Sequence, residues 1–170
     1  MTTSAGTILK NVAVGAVAGL AGAWAMNQFQ VLLSSVSKSD QQPEQQQPDE
    51  ESDDATVQTA KAISQHLFMH QLTSDEKKWA GPAVHYGMGA STGAVYGALT
   101  ETFPIAGAGF GTAYGTAVWA AADEIAVPAL GLSKPIGETA VSSHVSALAS
   151  HLVYGVVTDL ARRGLLALSS

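Results

Sequence analysis

His85, Thr92 and Tyr96 fall on one stripe if residues 79–99 form a helix, and His144, His151, Tyr154 and Thr158 do the same across residues 141–163. A third stripe carries Thr112, Thr116, Trp119 and Asp123, with Glu124 next in the chain. Imidazole exchanges protons near neutral pH, and a carboxylate is its natural counter-charge. Three such stripes facing one another would make a proton relay or a polar solute site from His85, Tyr96, Asp123, Glu124, His144, His151 and Tyr154. A second account competes with this one. Asp123 and Glu124 lie shortly before Pro128, near a helix end, where they would be solvated while the histidines make structural hydrogen bonds. A central Asp in a bilayer costs about 2.5–3.5 kcal/mol on insertion scales, so an interior acid needs a partner. Both accounts stand at this level. Convergence of His85, Asp123 and His151 inside a bundle is what separates them.

Other chemistries lack their residues. There is no cysteine, which removes disulfides, thiolate metal sites and Cys nucleophiles. No histidine pair has the HExxH form, and there is no CxxCH, so neither a metal nor a cofactor is expected. His66 and His70 are four apart but sit among polar residues, as on a solvated face. Ser142 and Ser143 precede His144 without a nucleophile elbow, and Gly87, Gly89 and Gly93 come without the strand and Lys-Ser pair of a phosphate loop. No enzymatic motif remains. A formal net charge of −6 gives no basic surface for nucleic acid.

The elements that must position these side chains follow from charge. No charged residue occurs from Asn11 to Val36, from Gly81 to Thr100, or from Thr102 to Ala122, and the acid is concentrated between Asp40 and Asp75. Apolar periodicity and length predict a first membrane helix over about Ile8–Val36, within residues 1–36. It is too long for the core of a signal peptide, so a retained helix is expected. Residues 37–54 contain Pro, Gln and acid but no large apolar group, and are expected to be a disordered linker. Val57, Ala60, Ile63 or Ser64, and Leu67 share a face, which predicts an amphipathic helix over about Ala55–Gln71, within residues 55–78. Thr73 and Glu76 have capping-box spacing. A second membrane helix is expected over about Asp75–Leu99, a break at Phe103-Pro104, a third over about Ile105–Ala126, a loop over Gly131–Thr139, and a fourth over about Val141–Leu168, so that residues 79–168 hold three spans at about 79–99, 105–126 and 141–163.

Glycines recur four apart at Gly15 and Gly19, at Gly89, Gly93 and Gly97, and at Gly107, Gly111 and Gly115. Residues four apart lie on one helix face, so each set forms a shallow groove where another helix can come close. In water an interior helical Gly costs about 0.8–1.0 kcal/mol relative to Ala, which counts against a soluble Gly-rich bundle. The expected fold is therefore all-α: an integral membrane four-helix bundle of Gly/Ala-rich helices, with one extra amphipathic helix in the first loop. Its partners would be the lipid bilayer and either a second copy or another membrane protein. Lys and Arg nearly balance across the two sides, so orientation is not fixed.

The runs AGPAVHYGMGASTGAVYGAL, GFGTAYGTAVWAAADEIAVPALGLS and SSHVSALASHLVYGVVTDLARR resemble the YagU-like (DUF1440) family of bacterial inner-membrane proteins, from about Lys77 to Arg163, with a weaker likeness at GAVAGLAGAWAM. The resemblance implies a multi-pass protein of the bacterial inner membrane with no established biochemical activity. For the enterobacterial namesake of the family it implies a contribution to acid resistance. It supplies no catalytic residue to carry over. The expected function is a non-enzymatic membrane protein of acid-stress or envelope physiology, the alternative being a proton-linked small transporter or channel that uses the His/Asp line.

Overall fold

A computed structural model of the chain describes residues 5–39, 55–133 and 136–169, and among these the structure is all-α. Helix α1 covers Ala5–Ser39, three residues beyond the expected end at Val36. From residue 40 onward the expected linker lies outside the described residues. Helix α2 covers Ala55–Phe68 and stops before the expected Gln71, where Met69 takes a left-handed φ of 54°.

Helix α3, Ser74–Thr102, begins at the capping box that the spacing of Thr73 and Glu76 predicts. The Glu76 amide donates to Thr73 Oγ1 at 3.3 Å, and the Thr73 amide donates to Glu76 Oε2 at 2.7 Å. Two orphan donors of the first turn are satisfied in this way. Helix α5, Val141–Leu168, has the expected bounds.

The third span departs most from expectation. In place of one helix from Ile105, a 3₁₀ turn covers Pro104–Gly107, helix α4 begins only at Thr112 and runs to Trp119, and a π-helical turn covers Ala120–Ala126. A final helical turn, Val127–Ala129, carries Pro128 at its start, where its missing N–H is harmless. The cause of the late start is backbone conformation. Gly109, Phe110 and Gly111 all have positive φ, which no right-handed helix contains. Gly107 therefore does not continue a helical ladder with Gly115, whereas Gly111, at the N-cap of α4, still does.

Helices α1 and α3 run antiparallel with their backbones touching. A Cβ added to Gly15 would strike the Gly93 carbonyl, one on Gly19 the Gly89 carbonyl, and one on Gly97 the Asn11 carbonyl. A second close contact joins α4 to α5, with Gly111 and Gly115 against Gly155 and the His151 carbonyl. Sequence spacing did not single out Gly155. The α1–α5 contact brings Lys10 Nζ within 3.1 Å of the Ser169 carbonyl, so the start of α1 and the end of α5 share one end of the bundle.

The interior mixes apolar and polar groups, with Met26, Tyr96 and Tyr154 buried along with Asn11 and Ser64. The buried side chains include Ala18, Ala23, Ser150, His151, Thr158 and Asp159, whereas Leu9, Val17, Trp24, Val95, Ile125, Val145 and Leu160 are each more than half exposed. One described helix segment, Ala5–Val36, is long and apolar enough to cross a membrane by length and composition. Helices α3 and α5 fall short of that measure, with Gly, Ser, Thr, His and Tyr along them in place of Leu and Ile, and α4, at eight residues, is too short by itself.

Candidate functional site

The site forms where the second half of α1, the first half of α3, the π-helical turn and the middle of α5 line a half-open cavity of about 710 Å³, with α2 along one side. Its walls include His85, Thr92, Asp123, His151 and Tyr154. Three helix faces that are separate in sequence thus meet at one place.

Each histidine in the wall is held by a backbone carbonyl. His151 Nδ1 lies 3.0 Å from the Ala147 carbonyl, one turn earlier in α5, and 3.5 Å from Asp123 Oδ2. Both partners are acceptors, so Nδ1 carries the hydrogen and the neutral ring keeps a basic Nε2. His85 Nε2 lies 3.0 Å from the Ala23 carbonyl, which by the same reasoning leaves Nδ1 as the base. Beside them Tyr154 Oη lies 2.8 Å from the Gly89 carbonyl and 2.7 Å from Thr92 Oγ1, while the Tyr114 hydroxyl donates to the Thr92 carbonyl at 2.7 Å. These phenols tie α4 and α5 to α3 at the cavity wall.

The π-helical turn is what brings Asp123 into the wall. In a regular α-helix Thr112, Thr116 and Asp123 would share a face. Here Thr116 is exposed, and its hydroxyl donates to the Thr112 carbonyl of its own helix. Thr112 likewise donates to Gly109. The wider π turn shifts the register by one residue, and Val118, Ala122 and Asp123 line the cavity instead.

Not every expected member joins. Glu124 pairs with His144, Nδ1 to Oε1 at 2.6 Å, and neither residue lines the cavity. This pair fastens the π turn to the start of α5. Tyr96 is fully buried further along the core, its ring 4.7 Å from that of Tyr114 and below the Arg162 guanidinium.

Beside Tyr96 lies a group that sequence reasoning missed. Asp159 is wholly buried, receives a 2.7 Å hydrogen bond from Arg163 Nε and has Arg162 Nη2 at 3.6 Å. The spacing of Asp159, Arg162 and Arg163, i to i+3 and i+4, was the available signal. His66 is exposed, as expected of a solvated face, while His70 Nε2 lies 3.0 Å from Glu76. Among the described residues no group of three or more His, Cys, Asp or Glu side chains is placed to hold a metal ion.

The fold and cavity define a class: a helical bundle closed by backbone-to-backbone glycine contacts around a pocket with a carboxylate and two imidazoles. The model of the family described as protein of unknown function (DUF1440) matches residues 32–160, and the chain belongs to that family. The match takes in α2, α3, α4, the π turn and most of α5. No curated protein and no solved structure matches the chain.

Proposed function

We propose that this chain is a multi-pass protein of the bacterial inner membrane, with α1, α3, α4 continued through the π turn, and α5 as its spans, and that its cavity takes a small solute whose binding is linked to protonation of the Asp123–His151 pair. The observation that carries this reading is the meeting of His85, Asp123, His151 and Tyr154 on one cavity of a bundle that turns many large apolar side chains outward. Outward Leu, Val, Ile and Trp along several helices are costly in water. In lipid the same arrangement is favourable, because tail-like side chains lose nothing by facing tails, while glycine contacts let backbones pack closely. Ionisable groups that face the interior of such a bundle and pair there mark solute or proton pathways.

The pair also supports the acid-stress role that the family resemblance implies. An ordinary imidazole charges near pH ~6.5, within the range through which an acidifying cell passes. The cavity would then change its charge state as the surroundings acidify.

Two measurements test the reading. With cysteine introduced singly into this cysteine-free chain, positions Thr7 and Ser169 label from one side of the membrane and Gln71 from the other; labelling of Thr7 and Ser169 from opposite sides would overturn the four-span arrangement. In proteoliposomes, proton flux is expected from the wild type and lost in Asp123→Asn. Equal flux from the two would remove the proton link.

A further inference from the structure

We infer that the solute is a monovalent organic cation, a protonated amine on an apolar body, and that it competes with a proton for the Asp123 site. This rests on the reading of the cavity as a solute site and adds the chemical class of the ligand and the logic of its exchange.

Charge comes first. Among the described lining residues Asp123 is the single carboxylate, and neither lysine nor arginine is present. The nearby guanidinium groups, Arg162 and Arg163, are held by Asp159 outside the cavity wall. The field inside is therefore negative, and a low-dielectric wall strengthens it.

Hydrogen bonding points the same way. With Nδ1–H of His151 directed to carbonyl and carboxylate, and Nε2–H of His85 to the Ala23 carbonyl, the neutral rings add two bases to the carboxylate. An ammonium N–H group complements that set, whereas a carboxylate or phosphate ligand would face the Asp123 carboxylate with only neutral amide and hydroxyl donors, such as Asn27, Gln30 and Thr56, to bind it.

Size and wall texture supply the apolar body. A volume of about 710 Å³ lies within the range of drug-sized ligand pockets, ~300–1,000 Å³. Met26, Met88, Val118, Leu130 and Leu132 line it together with the rings of Tyr86 and Tyr154. Flexible thioethers adapt to varied apolar shapes, and aromatic faces attract cations.

Competition with the proton follows from the groups around Asp123. His151 faces it from α5, His85 shares the wall from α3, and Glu124 is its neighbour on the π turn but is bound to His144. Helix α1 contributes Asn27 and Gln30, and α2 contributes Thr56, Val57 and Thr59, none of which titrates. While His151 is neutral, the Asp123 carboxylate has no counter-charge in the wall and accepts the ammonium. When Nε2 of His151 takes a proton from water, the imidazolium 3.5 Å away becomes that counter-charge and repels a second cation. One proton entering thus expels one amine.

Calorimetric titration of the full chain in detergent tests this, with 4-phenylbutylammonium, 4-phenylbutanol and 4-phenylbutyrate as a matched cation, neutral and anion series. The cation is expected to bind at about pH 8 and to weaken by up to about tenfold per pH unit once His151 is protonated. The alcohol is expected to bind at least tenfold more weakly, and the carboxylate not at all. Asp123→Asn should reduce cation binding to the level of the alcohol, and His151→Gln should keep the binding but lose its pH dependence. Equal binding of the alcohol and the cation, tighter binding of the carboxylate, or cation binding that ignores pH in the wild type would overturn the inference while leaving a solute cavity. Binding of none of the three would overturn both.

Discussion

Gly15 on α1 and Gly93 on α3 meet backbone to backbone, so closely that a methyl group on either would run into the other's carbonyl oxygen. One turn to either side, Gly19 faces the Gly89 carbonyl and Gly97 the Asn11 carbonyl. Close approach of this kind replaces side-chain interdigitation as the source of van der Waals contact between these two helices.

Gly93→Ala is therefore expected to destabilise the bundle by about 1–3 kcal/mol, the usual cost of overpacking. Gly87 is the control: it lies on the same helix with nothing within 4 Å of the Cβ position. Gly87→Ala should cost nothing measurable, and thermal unfolding in detergent compares the two. Equal losses would show that the α1–α3 contact does not depend on the missing Cβ atoms.

Asp159 is expected to be the costliest single truncation among the acidic residues described. It has no exposure and holds both Arg162 and Arg163. Removing one partner of a buried ion pair leaves the other uncompensated, at about 3–5 kcal/mol. Asp159→Ala should lower the unfolding temperature sharply. Asp75→Ala should not, because Asp75 is nearly fully exposed in its pair with Lys78.

Glu76 sets a pH dependence in the first turn of α3, ahead of the segment at about 79–99 that is expected to lie in the membrane. The Thr73 backbone N–H, then His70 and the Thr73 hydroxyl, hold its carboxyl down at about 2. A depressed carboxyl stabilises the fold fully above its unfolded value, near ~4.3, and that contribution is lost as pH falls through the folded value. The first turn of α3 should thus loosen between about pH 4.3 and about pH 2. Amide hydrogen exchange at Asp75–Lys78 measures this, and in Glu76→Gln the dependence should vanish within that window.

What was legible in the sequence was local or periodic. The Thr73–Glu76 box is an i,i+3 motif that needs no tertiary information, and α5 runs as far as its apolar periodicity does. The glycine grooves of α1 and α3 could be read as grooves, but not as partners of each other. Gly155 escaped notice because the other glycine of its helix, Gly164, is nine residues away and not four, although both Gly111 and Gly115 pack on Gly155. Gly107 drops out of the ladder with Gly111 and Gly115 because counting by four assumes right-handed φ throughout, and Gly109, Phe110 and Gly111 are left-handed. The polar stripe on the third span failed for a related reason: nothing local announces a π turn, so Thr116 was placed beside Asp123 when the two face different ways. His85, Asp123 and His151 could be nominated by type, but their meeting at one cavity depends on that turn and on the glycine contacts together.

The π turn has a consequence for how the site is inherited. Its wide winding contains one residue more than a regular α-helix would need between Trp119 and Val127. Asp123 reaches the cavity because of that surplus, whichever small residues supply it. Alanine scanning of Ala120, Ala121 and Ala122 would find nothing, since they are already alanine. Deleting any one of them would rewind the helix and carry Asp123 about 100° around its axis relative to α4 or to the segment that follows. The pocket's charge is thus encoded in chain length as much as in residue identity, and a descendant could lose it, or an ancestor have gained it, by a single codon.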